Sequence, residues 1–160
     1  MSNIILIGFK SSGKTTLGKK IAEKTGRHFI DTDELVSKNC RALYLQGPEA
    51  FREIEKEVIR ALADFQNTVI ATGGGAIIDP ENAMALKNLG KLIYLQVEKE
   101  ELKRRLLVEP FPAFLDPQNP EVSFEKMYQE RLGLYEQAAD FIVAHEEDLW
   151  ELLASKNHWQ

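Results

Sequence analysis

A short glycine-containing stretch near the start of the chain has the residue types and the spacing of a phosphate-binding loop. Residues 8–15, GFKSSGKT, match G-x-x-x-x-G-K-[ST] between the apolar run NIILI and a segment of helical periodicity. Glycines let the backbone curl so that its N–H groups face phosphate oxygens, and the helix that follows adds its positive end. The Lys14 ammonium then reaches the β- and γ-phosphates, and the Thr15 hydroxyl takes a Mg²⁺ position.

The alternative is a glycine turn followed by an ordinary surface lysine. The strand–loop–helix context that the motif requires is present in the sequence, and it strongly favours nucleotide binding over that alternative. We therefore expect the phosphates of a nucleotide to be bound by residues of this loop, namely Gly8, Ser11, Ser12, Gly13, Lys14, Thr15 and Thr16.

Two aspartates, Asp31 and Asp33, close the next strand-like run, HFIDTD at 28–33. At i, i+2 spacing in a strand both side chains face the same way, and ligands of open α/β sheets bind outside the carboxyl ends of the strands. One carboxylate would then hold the metal through water, and the other would accept a hydroxyl proton. The alternative stays open that Asp33 is the N-cap of a helix through ELVSK, with Asp31 as a turn residue.

Three consecutive glycines, Gly73, Gly74 and Gly75, end a third strand-like run, TVIATGGG at 68–75. Glycines at such a place either form a tight turn or make a floor where a ligand approaches the backbone closely. The residue pattern alone leaves both interpretations open.

Strand-like and helix-like segments alternate along the chain, as apolar runs and apolar residues three or four positions apart indicate. The predicted strands are 3–7, 28–33, 68–75, 91–97 and 141–145, and the predicted helices run from Lys14 to a stop at Gly26 and over 48–65, 79–90, 98–107, 123–139 and 146–155. A loop of unusual length, Val108 to Val122, holds four of the six prolines. This alternation predicts an α/β three-layer sandwich with parallel strands and helices on both faces.

Size and composition limit the classes to which the chain can belong. With 160 residues, 44% of them hydrophobic, we expect one globular domain over 1–160. The net charge of −5 gives no basic field for nucleic acid. No apolar run approaches the roughly 20 residues of a membrane span, and MSNIILIGFK is typical of a first strand rather than a signal peptide. The single cysteine, Cys40, excludes an internal disulfide, and we expect a small, partly buried side chain in a cytoplasmic protein.

The order of several motifs resembles the shikimate kinase family, a P-loop group similar to nucleoside monophosphate kinases. The resemblance rests on GFKSSGKTTLGKKIAEKTG, FIDTDELV, EAFREIEKEVI, IATGGG, YLQVEKEELKRR and ERLGLYEQAAD, in family order over nearly the whole chain. It implies a five-stranded parallel sheet of order 2-3-1-4-5, with a lid over residues 106–122. It also implies phosphoryl transfer from ATP, with Mg²⁺, to shikimate, which gives shikimate 3-phosphate on the route to chorismate and the aromatic amino acids. We expect a monomer.

The resemblance further implies a role for each matching residue. Asp31 matches an aspartate near Mg²⁺, and Asp33 matches one that binds the shikimate hydroxyls and accepts a proton. Arg52 and Arg131 match two arginines that bind the shikimate carboxylate, a use that suits their fork geometry. The remaining matches are Phe51 beside the substrate, Glu55 orienting Arg52, the floor of Gly73, Gly74 and Gly75, and Arg105 against adenine.

Without the resemblance, structural roles on the surface or in the core are favoured for these residues. Arg52 and Glu55 would form an i, i+3 surface pair, and Arg131 would be a solvated helix residue. The aromatic residues would belong to the core, among them Phe51, Tyr94 and Tyr135.

The lid departs from the family pattern. The family usually carries an arginine-proline-leucine signature whose arginine contacts the γ-phosphate, whereas ungapped alignment after YLQVEKEELKRR puts Pro112 at the arginine position. No lysine or arginine occurs between Arg105 and Lys126. We expect a slow kinase in which Arg104 or Lys10 substitutes for the missing charge. Two other hypotheses stay open, a kinase for another carboxylated acceptor such as gluconate and a nucleotide-binding module without catalysis.

Overall fold

The computed structural model of the protein describes residues 2–39 and 47–159. Five parallel strands form one sheet in the order β2–β3–β1–β4–β5, which confirms the predicted fold and strand order. The expectation for Cys40 falls outside the described residues. The strands are β1 (Asn3–Ile7), β2 (His28–Asp31), β3 (Thr68–Ala71), β4 (Gly90–Leu95) and β5 (Phe141–Val143).

Helices fill the connections between the strands. They are α1 (Lys14–Thr25), α2 (Thr32–Asn39), α3 (Pro48–Ala61), α4 (Pro80–Leu89), α5 (Lys99–Leu106), α6 (Pro120–Ala138) and α7 (Glu146–Ala154). Short 3-10 turns occupy Leu62–Asp64, Ala76–Ile78 and Lys156–His158. Among the described residues, no helix is long and apolar enough to cross a membrane.

The first strand lies at the centre of the sheet, because β1 pairs with both β3 and β4. Its side chains alternate between two apolar cores. Ile5 and Ile7 face the core that α3, α4 and α6 cover, and Ile4 and Leu6 face the core that α1 and α7 cover. Burial on both faces explains why this run is continuously apolar, and it gives the fold its three layers.

Two helices begin and end as the sequence predicts. Helix α1 ends at Gly26, whose φ of +66° is a left-handed conformation that glycine adopts without a steric penalty. Helix α4 begins after Asp79, because the Asp79 carboxylate accepts a hydrogen bond of 2.8 Å from the N–H of Glu81. Pro80 follows in the first turn, where its missing N–H costs nothing.

Several predicted boundaries were wrong by a few residues. The strands predicted to end at 75, 97 and 145 end at Ala71, Leu95 and Val143, where pairing with the neighbouring strand stops. Helix α3 was predicted to reach residue 65, but it ends at Ala61, and the 3-10 turn Leu62–Asp64 follows it. Helix α6 begins at Pro120 instead of residue 123, since proline fits the first turn of a helix.

The connection between α5 and α6 therefore spans residues 107–119, shorter than predicted. It also has a structure of its own, because Phe111, Phe114 and Leu115 pack against the core beneath α6. The carbonyl of Pro112 accepts a hydrogen bond of 2.9 Å from the N–H of Leu115, which closes a turn. We call this connection the lid segment.

Candidate active site

The phosphate-type loop joins the carboxyl end of β1 to α1, as its motif requires. Its backbone takes left-handed or extended positive-φ conformations at Gly8 (+148°) and Gly13 (+93°). Ser11 is also in this region, at +64°, which is uncommon for a residue with a side chain. The chain turns sharply at these positions and wraps around the Lys14 ammonium.

Lys14 is folded back into the loop. Its Nζ donates to the carbonyls of Gly8 and Phe9 at 2.8 and 2.7 Å, and to the Ser12 hydroxyl at 3.3 Å. Burial lowers the pKa of the ammonium from 10.5 to about 8, although the Asp33 and Asp31 carboxylates oppose this shift. Phosphate oxygens placed here would replace the carbonyls as partners and restore full charge to this lysine.

Asp31 links the loop to the start of α2. Its Oδ2 accepts a hydrogen bond of 2.6 Å from the Thr15 hydroxyl. Its Oδ1 accepts bonds from the N–H groups of Asp33 and Glu34 at 3.0 and 3.3 Å. Asp31 therefore caps α2, and the alternative that made Asp33 the cap is wrong.

Asp33 does not lie in a strand, which corrects the i, i+2 prediction. Strand β2 ends at Asp31, and Asp33 belongs to the first turn of α2, from which it projects beside the loop. Its side chain reaches solvent at the mouth of a cavity of about 330 Å³, whose lining includes Lys10, Lys14 and Gly74. Partial burial in this cavity, together with the Asp31 charge, raises the pKa of Asp33, while the nearby lysines and Arg52 lower it.

Arg52 and Glu55 face this region from α3. They form an ion pair of 2.7 Å, in which the Glu55 side chain is 2% exposed and that of Arg52 is 45% exposed. The pair is therefore anchored in the protein, unlike the surface pair that spacing alone allows. Burial raises the pKa of Glu55, and the Arg52 and Arg131 guanidinium groups lower it. The Arg52 guanidinium also lies 5.5 Å from the centroid of the Phe51 ring.

The three glycines form the floor between these groups. A Cβ added at Gly73 would collide with the Asp33 carboxylate, and one added at Gly75 would lie 2.5 Å from Nη1 of Arg52. At Gly74 it would lie 2.9 Å from the backbone nitrogen of Lys10, in the phosphate-type loop. The backbone of Gly73–Gly75 thus lies very close to the loop, α2 and α3. A side chain at any of the three positions would fill the space between these elements.

Arg131 approaches from α6. Its guanidinium lies 5.2 Å from the centroid of the Phe114 ring of the lid segment. It lines a cavity of about 360 Å³ together with Ile78 and Phe114, and its charge acts on the pKa of both Glu55 and Tyr135. We call the space that Asp33, Arg52, Gly73–Gly75 and Arg131 border the acceptor pocket.

Sequence reasoning missed the part that Tyr135 plays. The residue is buried, as predicted for the core, but its hydroxyl donates a hydrogen bond to the carbonyl of Gly74. Its ring packs edge-on against Phe9 of the loop, with centroids 4.7 Å apart. Tyr135 therefore fixes the glycine floor and the loop to α6, and burial raises its pKa to about 12. The motif ERLGLY contains this tyrosine but gives no sign of its distant partner.

Arg105 lies on the other side of the loop. Its Nη1 donates to the Ser11 carbonyl at 2.9 Å, and its Nε donates to the Glu101 carboxylate at 2.9 Å. It borders a cavity of about 750 Å³ that continues past Gln96 to His145. This cavity is large enough for a purine nucleoside and meets the phosphate-type loop at Ser12.

On this fold, a phosphate-type loop that opens onto a pocket bordered by a carboxylate and two arginines defines a class, the P-loop kinases of small molecules. The shikimate kinase family profile matches residues 10–156. The chain belongs to the shikimate kinase family, the enzymes that phosphorylate shikimate with ATP.

Individual relatives agree with this assignment. Shikimate kinase of Francisella tularensis subsp. novicida is 39% identical over 147 residues, covering 88% of this chain and 84% of that protein. Shikimate kinase of Clostridium botulinum (strain Okra) is 36% identical over 168 residues, covering 100% of this chain and 99% of that protein. The solved structure of shikimate kinase from Acinetobacter baumannii in complex with shikimate has a TM-score of 0.86 at 29% identity, covering 98% of this chain and 95% of that chain.

Proposed function

We propose that residues 1–160 act as one kinase domain in which the loop at 8–15 binds the ATP phosphates and the acceptor pocket binds shikimate. The observation that carries the proposal is the convergence of Asp33, Arg52 and Arg131 around the glycine floor, beside the loop. A module that bound a nucleotide alone would have no use for this pocket. The proposal assigns the cavity beside Arg105 to adenine.

The charges of the pocket favour a carboxylated acceptor. Glu55 neutralises Arg52 through its 2.7 Å ion pair, so the Arg131 guanidinium is left for the substrate carboxylate, while the Asp33 charge faces the acceptor hydroxyls. A planar carboxylate accepts two parallel N–H bonds from a guanidinium group, so Arg52 and Arg131 select for it by geometry as well as charge. A neutral polyol would leave these groups partly desolvated without a partner.

Asp33 is proposed as the group that receives the proton. The acceptor hydroxyl oxygen forms a bond to the γ-phosphorus, and the bond from that phosphorus to the β,γ-bridging oxygen breaks. ADP leaves with the bond electrons, and the hydroxyl proton moves to the Asp33 carboxylate. Most of the catalysis comes from positioning and from charge at the phosphates, since phosphoryl transfer needs little covalent help from the protein.

Thr15 and Asp31 fit a magnesium site at the phosphates. Their oxygens are 2.6 Å apart at the mouth of the loop, and hard oxygen donors of this kind suit Mg²⁺. Within residues 2–39 and 47–159, no group of three or more His, Cys, Asp or Glu side chains could hold a metal by itself. A site with so few protein ligands suits Mg²⁺, because this ion takes many of its ligands from water and substrate phosphates. When bound, the ion would be held by Thr15 and Asp31 and would neutralise the negative charge that develops on the phosphates.

Gluconate, the other acceptor considered, also carries a carboxylate and hydroxyls, so the two arginines alone do not separate it from shikimate. Shikimate is favoured because the chain matches the shikimate kinase family over most of its length. A monomer located in the cytoplasm, acting without nucleic acid or a membrane, stays a prediction from the sequence.

The acceptor assignment can be tested by ligand-induced stabilisation. Shikimate at 100 times its Kd should raise the free energy of unfolding by about 2.7 kcal/mol, seen as a higher Tm. Arg52→Ala and Arg131→Ala should each abolish most of this shift. Arg60→Ala is the matched control, because Arg60 lies on the same helix as Arg52, is 62% exposed and pairs with Glu81. Equal stabilisation of the wild type and an Arg52→Ala, Arg131→Ala double variant would contradict the assignment.

A further inference from the structure

The lid segment brings no positive charge to the phosphates. Residues 107–119 contain Glu109 and Asp116 and neither lysine nor arginine. Phosphoryl transfer spreads negative charge over the γ-phosphate oxygens, and kinases stabilise this charge with cationic side chains at the transferring group. In this chain such a cation must come from outside the lid.

The two arginines that precede the lid are engaged elsewhere. Arg104 is 72% exposed, and it donates to both carboxylate oxygens of Glu101, at 2.6 and 2.8 Å. Arg105 bonds to the Ser11 carbonyl and to the same glutamate. The sequence-based choice between Arg104 and Lys10 therefore falls against Arg104.

Lys14 is committed to the centre of the loop. The residue is 7% exposed, and its ammonium donates to two carbonyls and a hydroxyl of residues 8–12. From that position it serves the phosphates that the loop encloses. A second cation is needed on the open side, where the acceptor hydroxyl meets the γ-phosphorus.

Lys10 stands on that open side. It lines the 330 Å³ cavity together with Lys14, Thr15, Asp31 and Asp33, and its charge acts on the Asp33 carboxylate. Its backbone nitrogen lies against the glycine floor, 2.9 Å from where a Cβ at Gly74 would be. Its side chain is exposed, and it forms no ion pair with any residue in the described ranges. The Lys10 backbone is thus held against the glycine floor, while its side chain and ammonium extend into the cavity.

We propose that Lys10 is a catalytic residue that contacts the γ-phosphoryl group during transfer and supplies the cation that the lid segment lacks. This inference rests on the proposed function. As the hydroxyl oxygen bonds to the γ-phosphorus and the bond to the bridging oxygen of ADP breaks, the Lys10 ammonium donates hydrogen bonds to the equatorial oxygens. It keeps its own protons, and the hydroxyl proton moves to Asp33. The contact strengthens as charge develops, so it lowers the barrier more than it raises affinity for ATP.

The test compares Lys10→Met, which keeps the length of the side chain without its charge, with Lys10→Arg, which keeps the charge. Single-turnover transfer in Lys10→Met should be slower by about 10²- to 10³-fold, the range for a lost transition-state donor. The Kd values for Mg-ATP and shikimate should change by less than about threefold, and Lys10→Arg should recover most of the rate. Lys87→Met, at an exposed site on α4, is the matched control and should leave the rate unchanged.

A second measurement detects the contact between Lys10 and the transferring group without catalytic turnover. MgADP with aluminium tetrafluoride imitates the planar transferring group, and its binding in the presence of shikimate should weaken about as much as the rate in Lys10→Met. Binding of MgADP alone should not change. A single-turnover rate within threefold of wild type, or a loss explained by weaker Mg-ATP binding, would overturn the proposal. An inactive wild type would instead overturn the proposed function, because it would show no shikimate-dependent ADP release with Lys10 intact.

Discussion

Gly75→Ala should weaken acceptor binding in a protein that still folds. The Gly75 backbone has φ −94° and ψ 0°, a conformation that alanine can adopt. The added methyl group would lie 2.5 Å from Nη1 and 2.8 Å from Cζ of Arg52. These atoms are the far end of a flexible side chain, so Arg52 can move away without a change in the backbone.

The expected magnitudes follow from that displacement. Moving the Arg52 guanidinium breaks its 2.7 Å bond to Glu55 and its alignment with the acceptor carboxylate. A hydrogen bond to a charged group contributes roughly 1.5–3 kcal/mol, which corresponds to about a 10- to 150-fold rise in KM for shikimate. The free energy of unfolding should fall by about 1–3 kcal/mol, because the buried Glu55 carboxylate loses its partner.

Steady-state kinetics and urea unfolding together measure both effects. KM for shikimate should rise while KM for Mg-ATP stays near its wild-type value. Gly133→Ala is the matched control, since an added Cβ there meets nothing within 4 Å, and helix α6 should gain about 0.5–1 kcal/mol with both KM values unchanged. An unchanged KM for shikimate in Gly75→Ala would refute the placement of Arg52 in the acceptor pocket.

Three further predictions concern the loop, the buried ion pair and the lid segment. Ser11→Gly should stabilise the fold by up to about 1 kcal/mol in urea unfolding, because Ser11 has a φ of +64°. Burial raises the pKa of Glu55 above 4.5, so the folded state holds a proton that the unfolded chain loses, and stability falls as the pH rises above 4.5. Glu55→Gln should remove this loss, so its unfolding free energy relative to wild type should increase from pH 4.5 upward. Pro112→Arg should raise kcat with little change in the Kd for Mg-ATP, since the new charge would act in the transition state.

Each of these three has an outcome that would count against it. Destabilisation by Ser11→Gly would mean that the serine side chain stabilises the loop more than its backbone conformation costs. A difference between Glu55→Gln and wild type that is the same at every pH would mean that the carboxyl pKa is not raised by folding. A Pro112→Arg variant with wild-type kcat would place residue 112 away from the γ-phosphate.

The phosphate-type loop and the sheet could be predicted because their signals are local. The spacing of Gly8, Gly13 and Lys14 is fixed by contacts within the loop, and a strand buried on both faces must be continuously apolar. The strand order came from the resemblance to a family.

The details of the acceptor side could not be predicted, because they depend on long-range contacts. The hydroxyl of Tyr135 reaches the carbonyl of Gly74, 61 positions away in the chain, and nothing in either motif encodes that pairing. Arg52 and Glu55 have the spacing of a surface pair, and what distinguishes them is the burial of Glu55 by other elements. Asp31 became the cap of α2 because β2 stopped two residues earlier than its apolar pattern suggested.

The central claim is that ATP phosphorylates a carboxylated acceptor, shikimate, in this pocket. The most direct test is a coupled assay of ADP release with Mg-ATP and either shikimate, gluconate or no acceptor. We expect ADP release with shikimate clearly above the background rate, and only the background rate in the other two reactions. Equal ADP release with gluconate, or without any acceptor, would contradict it.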